Sequence, residues 1–349
     1  MSLKNRVLQI RSATAVPAAL LALCLSAGVS SGQTADPDAT AGAKAVLGYI
    51  RHLSEAGERR VLSGQFLDFE PNASLVLPDA IHNASGRWPA FVGVDYMDFH
   101  DQRVEYEVAD RVAAEYWREG GLVEVSVHMT NPANPRGGGL RDRGVHLGDL
   151  LEAGTAANAA WLAELDTIGA GLKRLQDQGV VVIWRPFHEM NGGWFWWGAK
   201  PPHDFVALWR QTFTYLTEAK HIHNLIWMYS PNMGQSAANY YPGDNFVDLV
   251  GIDAYTDYID QRHIKGFDAL VKLDKPAGFA EFGPHDASSP PGDYDYTRLN
   301  RGLAASFPQA VFFMAWNNKW SPAMNLRTRD FYNDPSIVTR ADLPAGLGR

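Results

Sequence analysis

Residues 181–200 read "VVIWRPFHEMNGGWFWWGAK". The stretch begins as an uninterrupted apolar run, which is typical of a strand covered on both faces. Arg185, His188 and Glu189 follow within five residues, and two glycines and four aromatic residues come next. The stretch therefore predicts a buried strand whose carboxyl end delivers ionisable side chains beside a large aromatic surface.

Seven further apolar runs resemble this one, and polar or glycine-rich loops and helical patterns separate them. Their near-continuous Val, Ile, Phe and Ala content is typical of parallel strands. The eight predicted strands are residues 60–65, 89–95, 122–128, 179–185, 224–230, 247–254, 276–282 and 310–316. Eight strands alternating with helices predict an α/β fold, the (β/α)8 TIM barrel, as a single domain.

Three intervening segments have apolar residues at three- and four-residue spacing and are predicted to be helices: residues 102–120, 156–178 and 203–220. An open, doubly wound sheet would produce the same alternation of strands and helices. It is disfavoured because the first strand continues as "LSGQFLDFEP" (62–71), which lacks a GxGxxG phosphate loop.

The charge balance limits the class of partner. Charged residues make up 20 % of the 349 residues, and the formal net charge is −8. Nucleic acids and anionic membranes call for clustered Lys and Arg, so neither is expected to bind, and a neutral substrate is favoured. The eleven Trp and thirteen Tyr either pack in the core or stack on flat, weakly polar groups such as sugar rings.

The N-terminus has the parts of a secretory signal peptide. Positive charges come first, at Lys4, Arg6 and Arg11. The apolar residues 15–29 follow and are short for a membrane span, and small residues then suit cleavage after Gly32. We therefore predict a signal peptide over residues 1–32 and a secreted or periplasmic protein.

The remaining chain divides into a polar linker, residues 33–41, and a catalytic domain with a C-terminal tail, residues 42–349. The single cysteine, Cys24, lies in the signal segment. Lipoprotein anchoring there is disfavoured because Leu23 is large where a small residue is needed. No disulfide, thiol nucleophile or second membrane segment is expected, and we expect a monomer.

Polar and aromatic residues recur where the predicted strands end, which in a TIM barrel is where the active site is built. These positions are Asp95, His128, Arg185, His188, Glu189, Asp253, Tyr255, Glu281 and Trp316. Asp95 alone could cap a helix and His128 alone could be a packing residue, so the prediction depends on the joint pattern.

Glu189 and Glu281 are the two carboxylates of this set that follow strands on opposite sides of the predicted barrel. A buried glutamate is costly unless it is paired or functional. Two carboxylates among aromatic residues suit glycoside hydrolysis. A separation of ~5–5.5 Å between them would mean retention of the anomeric configuration, and ~6.5–9.5 Å would mean inversion.

Other chemistries fit the sequence less well. "HEMNG" (188–192) is not the HExxH zinc motif, because residue 192 is glycine. The eleven histidines are scattered, so we expect neither a metal site nor a cofactor.

"WRPFHEMNGGWFWWG" (184–198) closely resembles the fourth-strand signature of glycoside hydrolase family 26, a group dominated by endo-β-1,4-mannanases. Shorter matches occur in the same order: "LSGQ" (62–65), "SVHMTNP" (126–132), "WMYSPN" (227–232), "VGIDAY" (250–255), "AEFG" (280–283) and "MAWNN" (314–318). The resemblance covers roughly residues 42–330 and implies a retaining TIM-barrel glycosidase.

The resemblance also implies residue roles. Glu189 would be the general acid/base and Glu281 the nucleophile. His188 would touch the nucleophile or a sugar 2-hydroxyl, Arg185 would hold Glu281 ionised, and Tyr255 would donate a hydrogen bond to it.

Three further positions match sugar contacts of the family. Trp194 and Trp316 match its aromatic walls at the cleavage subsite, and His128 matches its third-strand contact. Trp161 would be a further aromatic contact, although its helical pattern equally suits a core residue.

The implied substrate is mannan, glucomannan or galactomannan. The same family includes enzymes that cleave mixed-linkage β-glucan or β-1,3-xylan, and the loops at residues 130–154 and 256–266 are expected to decide between these polysaccharides. A non-catalytic carbohydrate-binding barrel is a further alternative, which the presence of both glutamates disfavours.

Overall fold

Eight parallel strands close into a barrel in the computed structural model, which describes residues 33–134, 139–284 and 291–349. The last strand pairs with the first, with Leu62 opposite Phe312. Numbered along the chain, the barrel strands are β1 Val61–Glu70, β2 Phe91–Asp98, β3 Leu122–Ser126, β4 Val182–Arg185, β5 Leu225–Tyr229, β6 Leu249–Tyr255, β7 Ala277–Gly283 and β8 Ala310–Ala315. The predicted TIM barrel is confirmed.

Helices surround the barrel in the alternating order that the sequence predicts. They are α1 Ala41–Glu55, α2 Val76–Ser85, α3 Glu107–Arg118, α4 Leu147–Leu151, α5 Ala156–Asp177, α6 Pro202–Thr214, α7 Phe267–Val271, α8 Thr297–Ser306 and α9 Thr328–Tyr332. A π-helical turn, Tyr215–Ala219, extends α6.

Helix α5 illustrates how sequence becomes structure in this fold. The hydroxyl of Thr155 accepts a hydrogen bond from the Asn158 N–H, which caps the first turn. Buried leucines and isoleucine then recur every three or four residues and face the barrel: Leu165, Ile168, Leu172 and Leu175. Burying each such side chain stabilises the fold by about 1.5–3 kcal/mol.

All eight strand predictions are confirmed, with shifted ends, whereas one helix prediction is partly wrong. Residues 102–106 are not helical: Arg103–Val104 forms a short antiparallel strand against the end of β2, and α3 begins at Glu107. Strand pairing with the end of β2 outweighs the local helical pattern there. Strand β1 runs to Glu70, five residues beyond its predicted end.

The segment predicted as a linker contacts the amino ends of β5 and β6. The Ala35 N–H donates to Asp248 Oδ1 at 2.6 Å, and His223 Nδ1 lies 2.8 Å from Asp36 Oδ2. The predicted signal peptide and Cys24 lie outside the described residues. In the part of the chain that the structure describes, no helix is both long and apolar enough to span a membrane.

Candidate active site

A cleft of about 500 Å³ opens at the carboxyl ends of the strands, where a TIM barrel places its active site. Glu189 and Glu281 both line it, with His128 and His188. Its aromatic lining consists of Phe69, Phe99, Phe195, Tyr255 and Trp316. The cleft thus combines two carboxyl groups with the flat apolar surface that suits a sugar chain.

Glu281 lies on β7 and is only 3 % exposed. Arg185 Nη2 donates to its Oε1 at 2.7 Å, and the Tyr255 hydroxyl donates to its Oε2 at 2.6 Å. Each carboxyl oxygen therefore has a donor, and one donor carries a full positive charge. Such charge-assisted hydrogen bonds are the strong ones, and they orient this carboxylate towards the cleft.

Arg185, the last residue of β4, is completely buried and contacts three carboxyl groups. Its Nε donates to Glu124 Oε1 at 2.7 Å, and its Nη1 lies 3.4 Å from Asp253 Oδ2. Burial raises the pKa of Glu124 to about 7, although the Arg185 charge opposes this. Burial and the charge of Glu281 raise the pKa of Asp253 well above its ordinary value. The single arginine charge is thus shared among three buried carboxyl groups, and its bonds to Glu124 and Glu281 are the two short ones.

Glu189 sits in a strained turn immediately after β4. Its φ is 55° and that of Phe187 is 51°, a left-handed conformation that costs non-glycine residues free energy. The Glu189 N–H donates to the Ser230 carbonyl at 2.7 Å, which holds the turn against β5. The Glu189 carboxyl group that follows from this turn lines the cleft and has an oxygen within 4.8 Å of one of Glu281.

The surroundings of the Glu189 carboxyl group favour its neutral form. Burial and the nearby charge of Glu281 raise the pKa of Glu189 to about 8, against the lowering effects of Trp194 and Arg185. Trp194 Nε1 donates to Glu189 Oε2 at 2.6 Å, and the Trp194 ring remains 38 % exposed. A carboxylic acid that holds its proton near neutral pH can serve as a general acid.

The three carboxyl groups of Glu189, Asp253 and Glu281 each offer an oxygen within 4.8 Å of the other two. A divalent cation could bridge such a triad. Arg185 already supplies positive charge to two of its members, so the triad does not call for a metal to neutralise it.

His128 and His188 form a hydrogen-bonded chain with Asp95. His128 Nδ1 lies 2.8 Å from Asp95 Oδ2, and the two histidine Nε2 atoms are 2.9 Å apart. Burial and the charges of His128 and Arg185 lower the pKa of His188 well below its ordinary value. His188 is therefore neutral at physiological pH.

Trp316 and Trp161 occupy different environments. Trp316 lines the cleft and stacks on Phe66 with ring centroids 3.8 Å apart. Trp161 is fully buried, packs against Phe187 and Trp196, and is absent from the cleft lining among the described residues. This placement fits the core alternative for Trp161.

Several residues of the site were not predicted from the sequence. Glu124 carried a signal, since it is a charged residue inside the apolar run of β3. Phe69 and Phe99 carried none, because they lie beyond the predicted ends of their strands. Phe195 was part of the aromatic stretch after Glu189, but the sequence does not indicate which of these four aromatic residues lines the cleft.

Comparison with known proteins agrees with this geometry. A mannan endo-1,4-beta-mannosidase of Bacillus subtilis is 33 % identical over 324 residues, covering 88 % of this chain and 88 % of that protein. Mannan endo-1,4-beta-mannosidase A and B of Caldalkalibacillus mannanilyticus is 31 % identical over 343 residues, covering 93 % of this chain and 66 % of that protein.

A solved structure of a Bacillus subtilis mannanase superposes with a TM-score of 0.82 at 31 % sequence identity, covering 90 % of this chain and 96 % of that one. The sequence profile of Glycosyl hydrolase family 26 matches residues 35–342. The resemblance noted from the sequence is thereby confirmed, and the chain belongs to glycosyl hydrolase family 26.

Proposed function

We propose that this protein is a retaining endo-β-1,4-mannanase, which hydrolyses internal β-1,4-mannosidic bonds of mannan, glucomannan or galactomannan by double displacement. Its family membership and the mannosidase names of its relatives support the substrate. The aromatic lining of the cleft supports a sugar chain as the ligand.

In the proposed mechanism Glu281 attacks the anomeric carbon while Glu189 protonates the departing glycosidic oxygen. This step forms a covalent glycosyl–enzyme ester and releases the part of the polysaccharide beyond the cleaved bond. Glu189, now a carboxylate, removes a proton from water, which attacks the same carbon and frees Glu281. The Arg185 and Tyr255 hydrogen bonds to Glu281 support its role as the charged nucleophile.

The proposal of retention depends on the short distance between the carboxyl groups of Glu189 and Glu281. One oxygen of Glu189 lies within 4.8 Å of one oxygen of Glu281. Inverting enzymes keep their carboxyl groups ~6.5–9.5 Å apart to admit a water molecule between base and sugar, whereas retaining enzymes keep them ~5–5.5 Å apart. The short approach supports direct attack by Glu281.

Substrate choice is tested by incubating the purified protein with galactomannan, barley mixed-linkage β-glucan and β-1,3-xylan. We expect rapid release of short oligosaccharides from galactomannan and little from the other two. Proton NMR of the first products should detect the β-anomer before mutarotation. An initial α-anomer would contradict retention, and preferential cleavage of β-glucan would contradict the substrate.

The two glutamate roles are separated by azide rescue of Glu189→Ala and Glu281→Ala with an aryl β-mannobioside. In the Glu281 variant azide replaces the nucleophile and should yield an α-mannobiosyl azide. In the Glu189 variant azide attacks the covalent intermediate and should yield a β-mannobiosyl azide. The opposite pairing of products would exchange the assigned roles.

Secretion and a monomeric state are further parts of the proposal. A polymeric substrate does not cross membranes, which supports an enzyme that acts outside the cytoplasm. Amino-terminal sequencing of protein from the culture medium should find the chain starting close to Gln33. Light scattering after gel filtration should find a mass near that of one chain, and a stable dimer would contradict the expected monomer.

A further inference from the structure

The carboxylate of Asp95 has an unusual arrangement of donors. Its Oδ1 accepts hydrogen bonds from the backbone N–H groups of Met97 at 2.9 Å and His128 at 3.0 Å. Its Oδ2 accepts from the Ser126 hydroxyl at 2.5 Å and lies 2.8 Å from His128 Nδ1. Asp95 is completely buried, so these four donors define the orientation of both its oxygens.

Asp95 controls where His128 carries its proton. A carboxylate can only accept hydrogen bonds, so the nitrogen that faces it, His128 Nδ1, must be the protonated one. In a neutral His128 the other nitrogen, Nε2, then has a lone pair. His188 Nε2 lies 2.9 Å from His128 Nε2, so it must donate a hydrogen bond to that lone pair. A neutral His188 therefore carries its single proton on Nε2.

The chain of hydrogen bonds ends at His188 Nδ1. This atom is buried, has no hydrogen-bond partner among the described residues, and belongs to a ring that lines the cleft. A buried polar atom without a partner is costly in the free protein. A ligand that supplies a hydrogen-bond donor at this atom would recover that free energy.

We propose that Asp95 is a positioning residue that acts through His128 to hold His188 Nδ1 as a hydrogen-bond acceptor for a sugar hydroxyl in the cleft. The identity of the ligand as a sugar rests on the proposed function, whereas the proton arrangement does not. Burial, the largest cause, lowers the pKa of His188 and keeps its ring neutral, as this arrangement requires.

Asp95→Asn should reverse the direction of the hydrogen bonds that run from residue 95 through His128 to His188, while the side chains keep their positions. The amide oxygen has to stay on the backbone N–H groups of Met97 and His128, so the amide nitrogen takes the place of Oδ2. That nitrogen donates to His128 Nδ1, which moves the His128 proton to Nε2. His188 then accepts at Nε2, carries its proton on Nδ1, and offers a donor where the sugar needs an acceptor.

The tautomers are measured by 15N NMR of the full chain labelled at histidine, because the ring nitrogen shifts distinguish protonated from unprotonated nitrogens. The His188 signals are those missing from a His188→Gln spectrum. We expect an unprotonated Nδ1 in the wild-type protein and a protonated Nδ1 in Asp95→Asn. A protonated Nδ1 in the wild type, as a doubly protonated His128 would impose, overturns the proposal even if the variant does not fold.

Steady-state kinetics test whether the substrate uses His188 Nδ1 as a hydrogen-bond acceptor. Asp95→Asn should lower kcat/KM on galactomannan by about 10- to 100-fold, since a buried donor replaces a needed acceptor. Ser126→Ala removes the other donor to Asp95 Oδ2 and is the matched control. It should retain the wild-type His188 tautomer and lose far less activity.

The two proposals fail in different ways. If Asp95→Asn reverses the tautomer but keeps wild-type kcat/KM, the role of His188 Nδ1 in sugar binding is wrong. If the wild-type tautomer is as expected but the wild-type protein does not cleave mannan, only the proposed function is wrong.

Discussion

Glu281 accepts hydrogen bonds from Arg185 and Tyr255, whereas Glu189 accepts one from the indole of Trp194. Glu281 lies on a regular strand beside a buried cation, and Glu189 lies in a strained turn beside aromatic rings. Two identical side chains less than 5 Å apart at their nearest oxygens thus have different hydrogen-bond donors, and the surroundings of Glu189 raise its pKa to about 8. The neighbours, and not the residue type, set the chemistry of each carboxyl group.

Replacing each glutamate by Gln should produce the largest contrast. With a 2,4-dinitrophenyl β-mannobioside, whose leaving group needs no proton, Glu281→Gln should lose about 10 000-fold or more in kcat/KM, because no nucleophile remains. Glu189→Gln should keep a fast first step and show a burst of dinitrophenolate. Stopped-flow absorbance checks this, and equal losses in both variants would contradict the separate roles.

Arg185→Met should be next in effect, since it leaves Glu124, Asp253 and Glu281 buried around an uncharged side chain. Removing one partner of a buried ion pair costs about 3–5 kcal/mol. We expect that loss in the free energy of unfolding from urea titrations at neutral pH. The loss should shrink as the pH falls, because protonation neutralises the stranded carboxylates.

Arg103→Met is the matched control for the arginine prediction. Arg103 pairs with Asp101 and Glu105 at the surface, and its side chain is 59 % exposed. Exposed ion pairs contribute ~0–1 kcal/mol, so this variant should unfold nearly as the wild type does. A similar loss in both variants would mean that the buried network does not stabilise the fold.

Tyr255→Phe tests the second hydrogen bond to Glu281. We expect kcat to fall about 10- to 100-fold, with little change in the free energy of unfolding, because one donor to the reacting carboxylate is lost. Tyr215→Phe, which removes a hydroxyl that donates to Asp166 outside the cleft, is the control. Steady-state kinetics that find equal effects in both variants would remove Tyr255 from the mechanism.

Trp194→Phe should have the smallest effect, seen in the pH profile. Glu189 acts as an acid when protonated, so activity is lost as the pH rises through its pKa. The Trp194 hydrogen bond stabilises the ionised form and lowers that pKa. Its removal should therefore move the alkaline limb of kcat/KM to higher pH. Trp88→Phe, which alters a ring packed on His82 outside the cleft, should leave the limb unmoved.

Most of the barrel could be predicted because its strands are locally distinctive. Each is a short run of apolar residues bounded by polar or glycine-rich segments, and this pattern depends on neighbours in sequence alone. Residues 102–106 were predicted wrongly as helix because their strand pairing is with β2, which no local periodicity encodes. The extension of β1 to Glu70 was missed for a similar reason, since it pairs there with the end of β2.

The sequence alone determined which residues arrive at the carboxyl ends of the strands, where the cleft lies. Arg185, His188 and Glu189 follow one apolar run and Glu281 ends another, and parallel strands deliver such residues to the same face of a barrel. The family motif in residues 184–198 assigned them to a chemistry, because its length and aromatic content are specific. These properties depend only on the order of residues along the sequence, so they can be predicted without any interatomic distance.

Only the tertiary structure decided what each of these residues touches. Arg185 meets carboxyl groups 61, 68 and 96 residues away in sequence, and its charge is shared among them by distances that no motif contains. The low-dielectric interior then amplifies differences in burial and hydrogen bonding into pKa shifts, such as that of Glu189. The proton that Glu189 holds and the acceptor that His188 offers are therefore properties of the assembled site.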